Sequence, residues 1–207
     1  MRILGIDPGT RVAGYGIVDF CHDGNIPIRG VAAGAWRLDA SLPLAARLGQ
    51  LAIEFRRVLD VYSPQILCLE LAFMGENARS ALFLGHARGV VLAEAHLHGL
   101  VIHEISATSA KKMITNFGRA DKHLVAQTLS GLLGLSFEKL PYDASDALGI
   151  AYAQALRELQ GLAMPTATLS KVAAKSAANA EGLRTWAQAD KKKASKNKKG
   201  FEVFLPK

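Results

Sequence analysis

Residues 1–16 read MRILGIDPGTRVAGYG, and this stretch is the starting point for predicting the fold. An apolar run ends in the carboxylate Asp7, a Pro-Gly turn follows, and a second alternating segment covers residues 12–20. This pattern predicts a strand, a tight turn and an antiparallel strand, with Asp7 at the end of the first strand. Asp is also an ordinary turn residue, so Asp7 alone indicates either a turn or a site.

Further along the chain, strand and helix patterns alternate. A third strand at about Pro27–Trp36 completes an antiparallel meander, because only short loops join the first three strands. Apolar periodicity then predicts, in order, helix 42–62, strand 65–70, helix 78–98, strand 100–105 and helices 107–115, 121–133 and 142–159. Helices that link later strands imply parallel pairing with right-handed crossovers. The prediction is an α/β fold: a five-stranded mixed sheet with helices on both faces.

Composition restricts the class of protein. The 207 residues are half hydrophobic, which is enough for one domain with a sizeable core. No apolar run approaches the ~20 residues that a membrane span needs, and the N-terminus lacks a signal-peptide pattern. Two cysteines, Cys21 and Cys68, are too few for a disulfide framework. We expect a cytoplasmic protein that does not enter a membrane.

The net charge of +7 lies entirely in the C-terminal segment. Residues 165–207 carry ten basic and three acidic side chains, whereas residues 1–164 carry fifteen of each. The segment is rich in Lys, Ala, Ser and Thr and has few residues that build a core. We therefore predict a folded domain over 1–164 and a basic, disordered tail over 165–207. Nucleic-acid binding by the domain has to be argued from local charge.

Four carboxylates fall where the predicted fold would bring them together. Glu70 ends the fourth strand beside Asp7 at the carboxyl edge of the sheet, where α/β folds bind ligands. Asp143 and Asp146 start the last helix three residues apart, so they share one face. Simpler roles remain open for three of them: Glu70 as a solvated strand end, Asp143 as a helix N-cap and Asp146 as its capping-box partner.

Convergent carboxylates suit hard divalent cations such as Mg²⁺, with Mn²⁺ as a substitute. Two such ions in one site hydrolyse phosphodiesters by activating water and stabilising the leaving 3′ oxygen. Basic residues that suit phosphate surround Gly118, namely Lys111, Lys112, Arg119 and Lys122, although a solvated charged face would look the same. Phe73 follows Glu70 closely and belongs either to the core or to a surface that stacks on an unpaired base.

Four motifs in order resemble the RuvC family of Holliday-junction resolvases, which has a ribonuclease H-like fold. They read GIDPGTRVAGYGIV, LELAFMGENARSALFLGHARGVVLAEA, SATSAKKMITNFGRADKHLVAQTL and DASDALGIAYA, and the resemblance covers residues 1–160. It implies that Asp7, Glu70, Asp143 and Asp146 are the catalytic metal ligands. It also implies that Lys111 and Lys122 lie near the scissile phosphate and that Phe73 contacts junction bases.

The resemblance further implies a homodimer that nicks two strands of like polarity symmetrically and leaves 5′-phosphate and 3′-hydroxyl ends. The predicted helix Ala78–His98 is a candidate dimer surface, and the implied partners are four-way junction DNA and the RuvA–RuvB branch-migration complex. A non-catalytic junction-binding protein on the same fold is the alternative. Actin-like ATPases also begin with Asp-x-Gly-Thr, but they need a second nucleotide lobe that this chain is too short to supply.

Overall fold

A computed structural model describes residues 1–21, 27–71, 78–134 and 141–161. Five strands form one sheet: β1 (Arg2–Asp7), β2 (Val12–Phe20), β3 (Ile28–Arg37), β4 (Ile66–Glu70) and β5 (Val101–Ile105). Five helices accompany them: α1 (Leu44–Tyr62), α2 (Ala78–Leu97), α3 (Ala107–Thr115), α4 (Lys122–Leu133) and α5 (Tyr142–Leu159). Phe73 and the predicted tail 165–207 lie outside the described residues.

The sheet has the predicted topology. Its strand order is β3-β2-β1-β4-β5, with β1 antiparallel to β2 and parallel to β4. β2 and β3 are antiparallel, and β4 and β5 are parallel. The meander of three strands followed by two parallel strands is therefore confirmed. Within the described ranges, no helix combines the length and hydropathy that a membrane span requires.

The predicted element boundaries hold to within two residues, and the differences have local causes. Helix α1 begins at Leu44 instead of residue 42, because Pro43 takes the N-cap position. Helix α4 begins at Lys122, because Asp121 is its N-cap and accepts a hydrogen bond from the backbone N–H of Leu124. The two corrections place Pro43 and Asp121 at the helix caps instead of inside the helices.

Side chains alternate along the central strands and fill two core layers, one on each face of the sheet. Leu4 and Ile6 pack with α1 and α2, whereas Ile3 packs with α4 and α5. β4 is buried on both faces, as its continuous apolar sequence predicts. Cys68 on this strand is a buried core residue, and burial raises the pKa of its thiol to about 12.

Helix α5 lies unusually close to β1 and β2, and glycines make this possible. A Cβ atom at Gly5 would lie 2.1 Å from the carbonyl oxygen of Ala147, and one at Gly14 would lie 1.9 Å from that of Asp143. No side chain fits at either position, so the helix backbone rests directly on the strands. This contact fixes the start of α5 beside the carboxyl end of β1.

Candidate active site

Asp7 and Glu70 end two neighbouring parallel strands. Ile6 and Leu69 are register partners in the β1–β4 pair. Asp7 directly follows Ile6, and Glu70 directly follows Leu69. Both side chains are half-buried, whereas the four strand residues before each of them are buried. The structure therefore places these two predicted site residues side by side at the carboxyl edge of the sheet.

Asp143 and Asp146 lie at the start of α5, which the glycine contact holds against this edge. Pro141 occupies the N-cap position of α5, and no side chain caps the helix. Asp143 lies inside the first turn, so the N-cap role that its sequence position allowed is wrong. The first two turns instead carry Asp143 and Asp146 towards Asp7, close enough for the charges of both to affect the ionisation of Asp7.

A pocket of about 200 Å³ opens at this point, and we call it the carboxylate pocket. Asp7, Glu70 and Asp146 supply its acidic lining, and Lys111 and Lys122 supply its basic lining. Apolar residues of α3, α4 and α5, among them Ile114 and Val125, form the remaining wall. Asp143 does not line this pocket, although its charge reaches Asp7.

The carboxylates disturb one another's ionisation. Burial, and then the charges of Glu70, Asp146 and Asp143, raises the pKa of the Asp7 carboxyl to about 7. Burial and the charge of Asp146 likewise raise the pKa of Glu70 above its ordinary value. The pocket therefore carries more negative charge than its own lysines compensate.

Lys122 is the cation in closest contact with the acids. Its Nζ donates a hydrogen bond to Asp146 Oδ2 over 2.7 Å, and this bond raises the pKa of the Lys122 amine. Lys122 is the first residue of α4 and its side chain is 59% exposed, so it also faces solvent. An amine in this position can contact an incoming phosphate while it remains near the carboxylates.

The donor set fits a hard divalent cation. It consists of carboxylate oxygens only, and the raised pKa of Asp7 indicates that the pocket would favour added positive charge. In the described ranges, however, no three acidic, histidine or cysteine side chains form a group that could hold a metal ion. The acids share a pocket without forming a closed cage, so their roles as metal ligands remain a prediction.

The predicted basic residues fall at different distances from the acids. Lys111 and Lys122 line the carboxylate pocket, whereas Lys112 and Arg119 are exposed outside it. Arg119 lies in the turn between α3 and α4. The local positive charge therefore divides into two lysines at the acids and a more distant basic surface.

Arg88 is a residue near the site that the sequence analysis missed. Its guanidinium donates to the backbone carbonyl of Glu70 and forms an ion pair with Glu104. The Arg88 side chain is only 12% exposed, so it ties α2 to the ends of β4 and β5 from within the fold. A sequence signal existed: Arg88 is a cation in the middle of a long apolar helix.

Comparison with known proteins identifies relatives that match about three quarters of the chain. A sequence model of the family described as "Crossover junction endodeoxyribonuclease RuvC" matches residues 3–154. The RuvC protein of Chlorobaculum parvum is 42% identical over 152 residues, which cover 73% of this chain and 80% of the relative. The RuvC protein of Neisseria meningitidis is 39% identical over 168 residues, which cover 79% of this chain and 89% of the relative.

Solved structures agree with these sequence matches. The structure of T. thermophilus RuvC in complex with a Holliday junction substrate superposes with a TM-score of 0.73 at 28% identity. The match covers 80% of this chain and 99% of the Thermus chain. The five-stranded mixed sheet and its helices are thus the ribonuclease H-like fold of that protein.

Proposed function

The chain belongs to the RuvC family of crossover junction endodeoxyribonucleases, and from this premise we propose that it resolves four-way DNA junctions by cutting paired strands at the carboxylate pocket. One observation carries the assignment of the site. Asp7, Glu70, Asp143 and Asp146 come from β1, β4 and α5, yet the charges of the other three all raise the pKa of Asp7. Four acids brought together in this way suit a metal-dependent nuclease.

RuvC family nucleases are metal-dependent, and we propose Mg²⁺, with Mn²⁺ as a substitute. Asp7, Glu70, Asp143 and Asp146 would hold two ions by their carboxylate oxygens. When bound, such ions supply an activated water and stabilise the oxygen that leaves, which gives 5′-phosphate and 3′-hydroxyl ends.

The chain's own groups have separate tasks in this proposal. Lys122 and Lys111 would bind the non-bridging oxygens of the scissile phosphate and offset its charge near the acids. Arg88 would hold the end of β4, so that Glu70 keeps its direction. The apolar wall from α4 and α5 would limit the access of bulk water to the reacting atoms.

We further propose a homodimer, because a four-way junction presents two equivalent strands and each protomer can reach one. Phe73 would contact unpaired bases at the crossover, and Arg119 would bind backbone phosphate. The proposed partners besides DNA are RuvA and RuvB, and the proposed location is the cytoplasm. Sedimentation of the full chain, alone and with junction DNA, tests the dimer.

The tail 165–207 is proposed to add non-specific affinity for DNA through its lysines. Full-length and 1–164 protein would then differ in the salt dependence of junction binding, because each neutralised phosphate steepens that dependence. Equal slopes would contradict this role for the tail.

The main test is cleavage of a labelled synthetic four-way junction with a mobile core, with a linear duplex as the control substrate. We expect symmetric paired nicks with Mg²⁺, no nicks with EDTA and no nicks with Asp7→Asn, while the duplex stays intact. Tight binding without cleavage in any divalent metal would instead support the alternative of a non-catalytic junction-binding protein.

A further inference from the structure

A second pocket, of about 600 Å³, opens on the opposite face of the sheet from the carboxylate pocket. Its lining includes Arg11, Arg47 and Arg79, and we call it the arginine pocket. Three separate elements supply these residues: the turn after β1, the start of α1 and the start of α2. Three guanidinium groups around one cavity are characteristic of a site for an anion.

The arginine pocket lies at the same edge of the sheet as the acids. Thr10, which also lines it, follows Asp7 by three residues, so their Cα atoms are at most about 11 Å apart. Helix α2 follows the strand that ends at Glu70, and α1 begins where β3 ends beside Arg11. A ligand that extends across this edge can therefore reach both pockets.

The side chain of Arg47 and the backbone of Arg11 are both anchored beside the pocket. Arg47 Nη1 donates to the carbonyl of Thr10 over 3.0 Å, whereas its buried Nε has no hydrogen-bond partner among the described residues. The carbonyl of Arg11 accepts from the backbone N–H of Leu38, while its side chain is exposed. In the part of the chain that the structure describes, neither arginine forms an ion pair with a carboxylate.

Other features of the pocket favour a phosphate over a carboxylate-bearing protein surface. Arg79 lies over the ring of Phe83, with its Cζ 5.5 Å from the ring centroid, so that ring helps to hold the guanidinium beside the pocket. Planar guanidinium groups bind phosphate oxygens in pairs, and most protein contacts to DNA go to phosphate and sugar. The catalytic edge is also where the junction has to lie if the proposed function is correct.

We propose that the arginine pocket binds a backbone phosphate of the junction, separate from the phosphate that is cut. This inference rests on the proposed function and extends it. Lys111 and Lys122 would bind the scissile phosphate beside the acids on one face of the sheet, and Arg11 and Arg47 would bind another phosphate on the other face. The DNA is thereby fixed at two points across the end of β1, which sets its register and direction in the active site.

The test compares Arg11→Gln and the double variant Arg11→Gln/Arg47→Gln with the wild type in binding a labelled four-way junction in EDTA over a range of salt concentrations. Arg57→Gln is the matched control, because Arg57 is an exposed arginine of the same helix as Arg47 and pairs with Glu54 instead of lining the pocket. We expect the double variant to bind about tenfold more weakly and to lose about one unit of salt slope per phosphate contact.

A second arm locates the phosphate. Junctions that carry one neutral methylphosphonate at successive positions would be bound by wild type and by Arg11→Gln, which leaves the Arg47–Thr10 contact intact. One position away from the cut should weaken binding to wild type clearly more than binding to the variant, in which Arg47 alone still faces that phosphate. In a parallel series, inorganic phosphate is added as a competitor of junction binding. If millimolar phosphate competes but no methylphosphonate position weakens binding, the pocket is a site for a free anion and the proposal is overturned.

The outcomes separate this proposal from the proposed function. If the wild-type protein does not cleave the junction, the proposed function is contradicted, whatever the affinities of the arginine variants. Wild-type cleavage together with variant affinities and salt slopes equal to those of Arg57→Gln would contradict the arginine pocket alone. A change in sedimentation of the DNA-free variant would show that the pocket contacts a second copy of the chain, and it would also overturn the proposal.

Discussion

The Lys122 amine lies 2.7 Å from the Asp146 carboxylate, which joins the first turn of α4 to the first turns of α5 beside the other acids. Both partners line the carboxylate pocket. A metal ion and a phosphate would each compete for one member of this pair. A metal ion held by Asp146 or a phosphate held by Lys122 would therefore have to displace this contact.

Replacing Lys122 tests this relationship. We expect Lys122→Gln to slow junction cleavage about 100-fold, because a cation near the developing charge is lost. Its unfolding free energy should change by less than about 1 kcal/mol, since Lys122 is largely exposed. Single-turnover cleavage and chemical denaturation measure the two effects. Lys112→Gln removes the same charge outside the pocket, and an equal loss of rate there would contradict the role of Lys122.

The raised pKa of Asp7 predicts an unusual dependence of stability on pH without metal. The pKa of about 7 exceeds the ordinary 3.8, so the folded state holds a proton that the unfolded state releases. The contribution of Asp7 to stability is then greatest below pH 3.8 and is lost as the pH rises to about 7. With partial exposure taken into account, we expect Asp7 to contribute a loss of about 1–2 kcal/mol.

Urea unfolding in EDTA between pH 4 and pH 8 measures this effect. Asp7→Asn cannot ionise, so its stability should fall less over that window and exceed the wild-type value at pH 8. Added Mg²⁺ should restore wild-type stability at pH 8 but should have little effect on the variant. Parallel pH curves for the two proteins would rule out the assignment of the shifted pKa to Asp7.

The close contact between β2 and α5 is tested at Gly14. A Cβ atom in Gly14→Ala would meet the Asp143 carbonyl at 1.9 Å, so α5 has to move away from the sheet. We expect a loss of stability of about 3 kcal/mol and a much larger fractional loss of cleavage than of junction binding. Thermal unfolding and single-turnover cleavage are the measurements.

Gly49→Ala is the control for Gly14→Ala, because nothing lies within 4 Å of the added Cβ in the interior of α1. This variant should be more stable than wild type by about 0.5–1 kcal/mol and should cleave normally. If Gly14→Ala also keeps full stability and activity, then the spacing of α5 from the sheet is not what positions the acids.

Arg88 is expected to act through Glu70 and not on the substrate. Arg88→Met removes the bonds to the Glu70 carbonyl and to Glu104, and we expect cleavage to fall about 10- to 100-fold as the acid loses its position. Arg56→Met is the matched control. Arg56 on α1 pairs with Glu94 on α2, the helix of Arg88, with 2.5 Å between Nη2 and Oε1. Both variants should lose about 1–3 kcal/mol of stability.

The readout that separates these two arginine variants is metal dependence. A misplaced Glu70 should raise the Mg²⁺ concentration needed for half-maximal cleavage in Arg88→Met but not in Arg56→Met. Equal metal dependence in both variants would show that Arg88 only stabilises the contact between α2 and the sheet and does not position Glu70.

The sequence predicts the features of this structure that depend on short segments of the chain better than those that depend on contacts between distant segments. The ends of β1 and β4 follow from local apolar runs that stop at Asp7 and Glu70, and parallel pairing then brings the two acids together. The start of α5 follows from its own periodicity. All of these are properties of short segments, which is why their boundaries hold to within two residues.

The features that were not predicted are contacts between distant segments. Whether Arg88 reaches Glu70, or Arg47 reaches Thr10, depends on the rotation and tilt of a helix over the sheet. The sequence pattern does not fix these angles. The N-cap of α5 differs from the expectation for a local reason: Asp143 suits a cap in isolation, whereas the chain enters the helix at Pro141.

The dependence of the site on α5 has a consequence for the biosynthesis of the enzyme. The ribosome makes Asp7 with the first strand, but Asp143 and Asp146 emerge only with the last described helix. On the proposed assignment of the site, a nascent chain that lacks α5 carries only half of the four acids. We therefore expect no cutting of DNA before α5 docks on the glycines of β1 and β2.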